Sequence, residues 1–268
     1  MNEDVAITLE LQGLTNEDGH LRLEDLTSQL TALRKSLEGI DRGFDPDGRA
    51  GLYYRVVGLS HNSPVSVKLI PVRRPKRKEK DVDISERHHR IFKELESITR
   101  NEPPSPEVDN ATLEEIRKLT SKNRSGGARL INNAHSVSFD DAFKKNLSYF
   151  LEHEEYSVGS IQGRLEAINL HGKNRFWIYP SAGPIRILCE FVAGLKEKAK
   201  HSLDKAIWVR GQKYFRPNAN FPHRMVVHDF HEIETTEGIE KLIKMKGCAK
   251  SDEGSVQMIR RQRNAWSK

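Results

Sequence analysis

The sequence contains only two cysteines in 268 residues, and this scarcity excludes sites that need several thiols. Cys189 and Cys248 lie far apart, and neither belongs to a Cys-x-x-Cys pair, so no zinc ribbon and no disulfide framework is indicated. Cys189 falls on the inward face of a predicted strand, where we expect it to be packed in a core.

Long apolar runs and a secretion signal are also missing. No hydrophobic stretch approaches the roughly 20 residues that a membrane-spanning helix needs. Residues 1–4 lack the basic-then-apolar layout with which a secretion signal begins. We therefore expect a cytoplasmic protein without a membrane partner.

Catalytic signatures are absent as well. Spacing picks out no Ser-His-Asp arrangement, no phosphate-binding glycine loop and no pair of catalytic carboxylates. In an extended strand, His228 and Glu232 would point away from Asp229 and His231, and two converging ligands do not make a zinc site. The sequence assigns no catalytic residue, no metal and no cofactor, although a site assembled from distant residues would not be visible in it.

Charge is plentiful, with an excess of positive residues. The chain has 44 Lys and Arg against 38 Asp and Glu, a formal net charge of +6, and a pI of about 9.2. This balance favours an acidic partner, either nucleic acid or an acidic protein surface, although an ordinary basic protein would show it too. With 31% charged and 36% hydrophobic residues, small domains joined by solvated segments are expected rather than one large core.

Residues 1–75 predict a small β-α-β-β domain. Alternating apolar residues predict strands over 5–11, 53–59 and 66–72, and an apolar stripe predicts a helix over 23–40. The stripe consists of Leu26, Leu30, Leu33, Leu37 and Ile40. It persists for only about two heptads, so packing onto the sheet is favoured over a dimerising coiled coil.

Residues 76–155 predict a basic linker followed by a helical connector. Six of the eight residues over 73–80 are cationic, which indicates either a solvated linker or a strip that contacts phosphates. The predicted elements of the connector are helices over 84–100, 110–120 and 142–152 and a short strand over 136–139.

Residues 156–233 predict five strands with one short helix before the fourth. The first strand, over 158–170, shifts the phase of its alternation after Ala167, as a strand with a bulge does. Three strands, a helix and two strands is an order that resembles the OB-fold, a small and partly open barrel. Another small antiparallel barrel or sandwich is the alternative. The predicted class is α+β, with an OB-like five-stranded barrel.

The resemblance to the OB-fold implies a surface on which bases stack on exposed rings and cations follow the backbone. The outward positions of the predicted strands and the last hairpin offer both kinds of side chain. The candidate nucleic-acid-binding residues are Arg164, Lys173, Arg175, Trp177, Tyr179, Lys213, Tyr214, Arg216 and Arg224. The alternative is that these rings pack against a neighbouring domain or a partner protein.

Residues 234–268 predict a cationic tail of two short amphipathic helices interrupted over 247–254. The second helix, over 256–266, resembles the C-terminal tails of antitoxins that neutralise PIN-domain ribonucleases. In that family an amphipathic segment wraps the toxin and an arginine enters its acidic metal site. The resemblance implies that the partner-binding residues are Met258, Ile259, Arg260, Arg261, Arg263 and Trp266. Those antitoxins are short and begin with a small DNA-binding dimer domain, so a repressor role does not carry over. A tail that folds back on its own domain is the alternative.

Together these features predict a non-catalytic binding protein. In its sharpest form it is an antitoxin-like partner of an acidic-site, PIN-type nuclease, with nucleic-acid binding through the barrel as a second candidate activity. The alternative is a single-stranded nucleic-acid-binding module of a larger defence, repair or mobile-element complex. Homo-oligomer formation stays open.

Overall fold

The computed structural model shows helices and strands together, which confirms the α+β class. The described residues are 5–13, 18, 20–45, 48–61, 64–75, 82–120, 127–133, 135–171 and 173–233. Those up to Glu232 belong to one compact unit. The predicted tail over 234–268, Cys248 and the cationic residues over 76–80 lie outside the described ranges. None of the described helices is both long and apolar enough to cross a membrane.

A five-stranded antiparallel sheet forms the first half of the unit. Its strands are β1 (Ile7–Gln12), β2 (Leu52–Ser60), β3 (Val65–Arg73), β4 (Gly127–Ile131) and β5 (Ser136–Ser138). They lie in the order β2-β3-β1-β4-β5, so the first strand of the chain is the central one. Apolar residues at alternate positions of β1 are fully buried, as expected for a strand with one covered face.

Four helices pack with this sheet around one apolar core. They are α1 (Leu23–Gly43), α2 (Ile84–Thr99), α3 (Asn110–Leu119) and α4 (Asp141–Glu152). Leu33, Leu37 and Ile40 of the α1 stripe are buried in the core, which confirms packing onto the sheet. An aspartate caps each of the last three helices, because its carboxylate accepts a hydrogen bond from a backbone N–H of the first turn. These caps are Asp83, Asp109 and Asp140.

The segment over 76–155 is more than the helical connector that the sequence predicts. It supplies β4 and β5 to the sheet, and β4 pairs directly with β1. Its apolar residues share one core with those of the N-terminal strands. α4 packs against α2 and α3, and its Phe143 and Leu147 belong to the same core. The described residues between 5 and 152 therefore share one core, which extends across the boundary predicted near residue 75.

A closed five-stranded barrel forms the second half. Its elements are β6 (Glu155–Asn169), β7 (Arg175–Pro180), β8 (Ile187–Phe191), a 3₁₀ turn (Ala193–Leu195), α5 (Lys196–His201), β9 (Ala206–Phe215) and β10 (Arg224–Glu232). The closed order is β10-β8-β7-β6-β9, in which β8 and β10 are parallel and the other neighbours antiparallel. The predicted bulge is confirmed, because the register of β6 against β7 shifts between Leu165 and Ala167.

The barrel has its own core, separate from that of the sheet. Phe176, Ile178 and Cys189 are fully buried in it, as the alternation of the sequence predicts. Burial raises the pKa of the Cys189 thiol far above its ordinary value, so the thiol stays protonated. Since inward and outward positions alternate along a strand, the neighbours of these residues on β7 and β8 point away from the core.

Candidate nucleic-acid interface

A cleft of about 690 Å³ lies between the barrel and the helices of the first half. Arg175 and Trp177 of β7 and Leu188 of β8 form its barrel wall. The opposite wall comes from the loop before α3, from Leu151 near the end of α4 and from Glu154 just after that helix. The cleft therefore joins elements that are far apart in the sequence.

Strand register sets the geometry of the barrel wall. Trp177 is the register partner of Leu188, and Arg175 is the partner of Glu190. Arg175 donates from Nε and Nη2 to Glu190 Oε1 over 3.1 and 2.9 Å. The pair holds the guanidinium of Arg175 against the wall beside the indole of Trp177, and it neutralises the carboxylate of Glu190.

Glu154 organises one end of the cleft. Its carboxylate accepts hydrogen bonds from His223 Nε2 at 2.8 Å, from Arg224 Nη2 at 2.6 Å and from Asn110 Nδ2 at 3.3 Å. Burial opposes the ionisation of Glu154, but the hydrogen bonds from Arg224 and His223 and the charge of Arg224 outweigh it, so the pKa of Glu154 is lowered. The carboxylate is therefore charged and fully engaged at neutral pH.

His223 is buried behind this carboxylate, with 8% of its surface exposed. Burial, and after it the charge of Arg216, lower the pKa of His223 to about 4, against the attraction of Glu154. The ring is therefore neutral at physiological pH and donates its Nε2 hydrogen to Glu154.

Arg216 is also not the surface residue that the sequence predicts, since only 1% of it is exposed. Its Nη1 donates to Ser105 O at 3.0 Å and Pro104 O at 3.4 Å, and its Nη2 donates to Val108 O and to Asn110 Oδ1. Burial lowers the pKa of Arg216 to about 10, and it remains charged. The side chain fastens the loop between β9 and β10 to the loop before α3, so it is a structural residue rather than a ligand contact.

Four of the nine predicted nucleic-acid-binding residues meet in the cleft, namely Lys173, Arg175, Trp177 and Arg224. Tyr214 lies just outside it, with its ring 3.6 Å from the guanidinium carbon of Arg224.

Three of the other predicted residues lie elsewhere. Arg164 pairs with Asp204 at 2.6 Å on the barrel exterior, and Tyr179 is half-buried near the end of β7. Lys213 alternates with Tyr214 on β9, so it points to the opposite side of the strand, with its Nζ 5.8 Å from the ring centre of Phe215. The six predicted partner-binding residues of the tail lie outside the described residues.

Two cations of the cleft were missed by sequence reasoning. Arg42 lies in the last turn of α1, and Arg186 lies just before β8. Arg186 Nη2 donates to Arg42 O at 3.0 Å across a separation of 144 residues. No spacing in the sequence signals such a pair. With them, five cations and four carboxylates line the described part of the cleft, and Arg175 and Arg224 neutralise two of the carboxylates.

No group of three or more His, Cys, Asp or Glu side chains in the described part of the chain is arranged to hold a metal ion. Asp229 and His231 do converge, as their alternation predicts, with His231 Nε2 3.0 Å from Asp229 Oδ2. Comparison with protein-family models, with curated proteins and with solved structures finds no match for this chain. Function is therefore inferred from geometry and chemistry alone.

Proposed function

We propose that this protein is a non-catalytic binding protein whose barrel is OB-like and binds single-stranded nucleic acid in the cleft. The barrel order supports the OB-like assignment. Counting from β6, its strands close in the order 1-2-3-5-4, with strands 3 and 5 parallel and a short helix between strands 3 and 4.

The position of the cleft is the observation that carries the proposal. An OB-fold binds oligonucleotides on the face of its second and third strands and with the loops between strands 1 and 2 and between strands 4 and 5. Here Trp177 and Leu188 lie on the second and third strands, and Lys173 lies in the first of those loops. His223 is the last residue of the second loop, and Arg224 begins the fifth strand. The cleft therefore occupies the place where an OB-like barrel binds its ligand.

The chemistry of the cleft suits a single strand rather than a duplex. The ring of Trp177 offers a flat surface for a base, and base stacking on such a ring contributes about 1–3 kcal/mol. Arg42 and Lys173 lie exposed at the cleft, where they can contact phosphates. A volume of about 690 Å³ lies within the range of small-ligand pockets, so the cleft suits a short piece of one strand rather than a duplex.

Binding of labelled, unstructured oligonucleotides tests the proposal. Fluorescence anisotropy at low salt with oligo-dT and oligo-rU should show binding by the wild type, and the two probes separate DNA from RNA. The Trp177→Ala variant should bind about tenfold more weakly, because one stacked base is lost. Trp208→Ala is the matched control, since Trp208 is another partly exposed indole on the barrel but lies outside the cleft. Absence of binding to both probes at low salt would refute the proposal.

The sequence of the tail favours a second candidate function, the antitoxin-like capture of a PIN-type nuclease. A basic amphipathic segment with several arginines and a tryptophan suits an acidic groove, because arginine makes bidentate hydrogen bonds to carboxylates. Deletion of residues 255–268 should abolish capture of such a nuclease and leave oligonucleotide binding unchanged. If capture persists at wild-type strength after the deletion, the tail does not bind the nuclease.

A further inference from the structure

Outward side chains of all five barrel strands fall on one row that runs across the strands. Tyr156 of β6 is the register partner of Tyr214 of β9, and Tyr214 is the partner of Arg224 of β10. Arg224 is in turn the partner of Leu188 of β8, and Leu188 is the partner of Trp177 of β7. The row therefore begins in the cleft and continues onto the open surface beside it.

Contacts between the side chains show that the row is continuous. The guanidinium carbon of Arg224 lies 3.6 Å from the ring centre of Tyr214, and the ring centres of Tyr214 and Tyr156 are 6.5 Å apart. Tyr156 is 69% exposed. Arg224 lines the cleft and also covers the ring of Tyr214, so it links the cleft with the pair of tyrosines.

We infer that Tyr156 and Tyr214 form a second stacking platform and that the bound single strand crosses the barrel strands from Trp177 past Arg224 to Tyr156. This inference rests on the proposed function and specifies the path of its ligand. The hydrogen bonds of Arg224 to Glu154 use Nε and Nη2, which leaves Nη1 to donate to a phosphate oxygen between the two platforms. Rings at both ends can stack on bases, and the cation between them can contact the phosphates that link those bases.

The length of the row sets the size of the binding site. Neighbouring strands are about 4.8 Å apart, so five strands in a row span about 19 Å. That distance accommodates about five or six nucleotides at the 3.4 Å stacked spacing, and fewer if the strand is extended. The cleft alone holds fewer nucleotides than the full row, so short and long oligonucleotides should respond differently to changes at the tyrosines.

The test compares two lengths of oligo-dT, one of about three nucleotides and one of about ten, with the full-length wild type and variants. Tyr156→Ala should bind the longer oligonucleotide about tenfold more weakly and the shorter one with wild-type affinity. Tyr156→Phe should bind the longer oligonucleotide with wild-type affinity, because it keeps the ring. Trp208→Ala should change neither affinity, since Trp208 lies six residues, or about 20 Å, from Tyr214 along β9.

The outcomes separate this inference from the proposed function. If Trp177→Ala weakens binding of both lengths while Tyr156→Ala changes neither, the second platform is wrong and the cleft proposal stands. If the wild type binds neither length at low salt, both fail. An equal loss at both lengths for Tyr156→Ala would also refute the platform, because it would indicate a general defect. Circular dichroism and the unfolding midpoint of each variant show whether its fold is intact.

Discussion

At the scale of single residues, Arg216 shows how the two halves of the unit are held together. A buried guanidinium loses its hydration, and it is tolerated only where its hydrogen bonds are satisfied. Four oxygen atoms of residues 104–110 accept from Arg216, although its Nε has no partner among the described residues. Removing the side chain would leave these buried acceptors without donors, which costs more than the loss of the bonds alone.

Arg216→Met should therefore lower the free energy of unfolding by about 3 kcal/mol or more. Urea denaturation followed by circular dichroism measures this difference. Arg164→Met is the matched control, because the exposed pair of Arg164 with Asp204 contributes at most about 1 kcal/mol. Equal effects of the two substitutions would mean that the buried hydrogen bonds of Arg216 do not stabilise the fold.

The lowered pKa values of two buried histidines predict how the free energy of unfolding depends on pH. Burial, followed by the charges of His135 and His89, lowers the pKa of His88 to about 4, and the pKa of His223 is lowered to about 4 as well. Both rings are neutral in the folded protein at pH 5, whereas in the unfolded chain they bind protons near pH 6.5. Their contribution to stability is complete above pH 6.5 and is lost as the pH falls from 6.5 towards 4.

The free energy of unfolding should fall between pH 7 and pH 5 by about 2 kcal/mol for each of the two histidines. Urea titrations at several pH values measure the slope. His88→Phe should remove about half of it, because phenylalanine keeps a ring beside Phe92 and does not titrate. A slope that is the same in the variant and in the wild type would show that His88 is not kept neutral by its burial.

At the scale of secondary-structure elements, the barrel depends on close approaches between strands. A Cβ at Gly211 of β9 would lie 2.1 Å from the carbonyl oxygen of Val226 on β10, a backbone atom that cannot move aside cheaply. Gly194, in the 3₁₀ turn, has no atom within 4 Å of such a Cβ. The two glycines therefore form a matched pair for substitution.

Gly211→Ala should lower the unfolding free energy by about 1–3 kcal/mol or more, because the added methyl forces β9 and β10 apart. Gly194→Ala should be neutral or slightly stabilising, since alanine restricts the unfolded chain without a clash. Thermal unfolding of both variants under identical conditions compares them. A tolerated Gly211→Ala would mean that β9 and β10 are farther apart than the register and the bulge near Val227 require.

Most of these elements could be predicted from the sequence, because their periodicity is local. The alternation of Phe176 and Ile178 with Trp177, and the phase shift near Ala167, are visible in a few consecutive residues. The strand β4 was missed because it is short and has only Ala128 and Leu130 buried. Its partners on β1 are more than one hundred residues away, and no local signal indicates that pairing.

The candidate site was predictable only where a single strand defines it. Arg175 and Trp177 follow from the outward positions of one strand, whereas Arg42 and Glu154 reach the cleft through contacts between distant elements. Arg216 was assigned wrongly because its position next to an aromatic hairpin suggested exposure. The loop that buries Arg216 lies more than one hundred residues away in the sequence, so the residues next to Arg216 do not indicate its burial.

At the scale of the whole molecule, the cleft exists because hydrogen bonds join the barrel to the first half of the unit at several points. Arg216 bonds to the loop before α3, Ile185 N donates to Glu107 Oε1 at 2.7 Å, and Arg186 donates to Arg42 O. These bonds surround the cleft, so its walls are fixed relative to each other before a ligand arrives. A preformed site of this kind loses little conformational entropy on binding.

The same arrangement predicts how binding responds to salt. Lys173 and Arg42 are exposed at the cleft, and neither forms an ion pair with another described residue. Each phosphate that a cation neutralises in a single strand adds about 0.7 to the slope of log K against log salt concentration. The double variant Lys173→Ala/Arg42→Ala should therefore reduce that slope by about 1.4 in oligonucleotide titrations.

A control variant separates contact from net charge in this prediction. Arg164→Ala/Lys205→Ala removes two positive charges from elsewhere on the barrel, where they pair with Asp204 and Glu232. It changes the total charge by the same amount as the cleft variant but should leave the slope unaltered. The slope depends only on the counterions released from phosphates that the protein contacts. If both variants reduce the slope equally, the strand is held by the general field of a basic protein and not by the cleft.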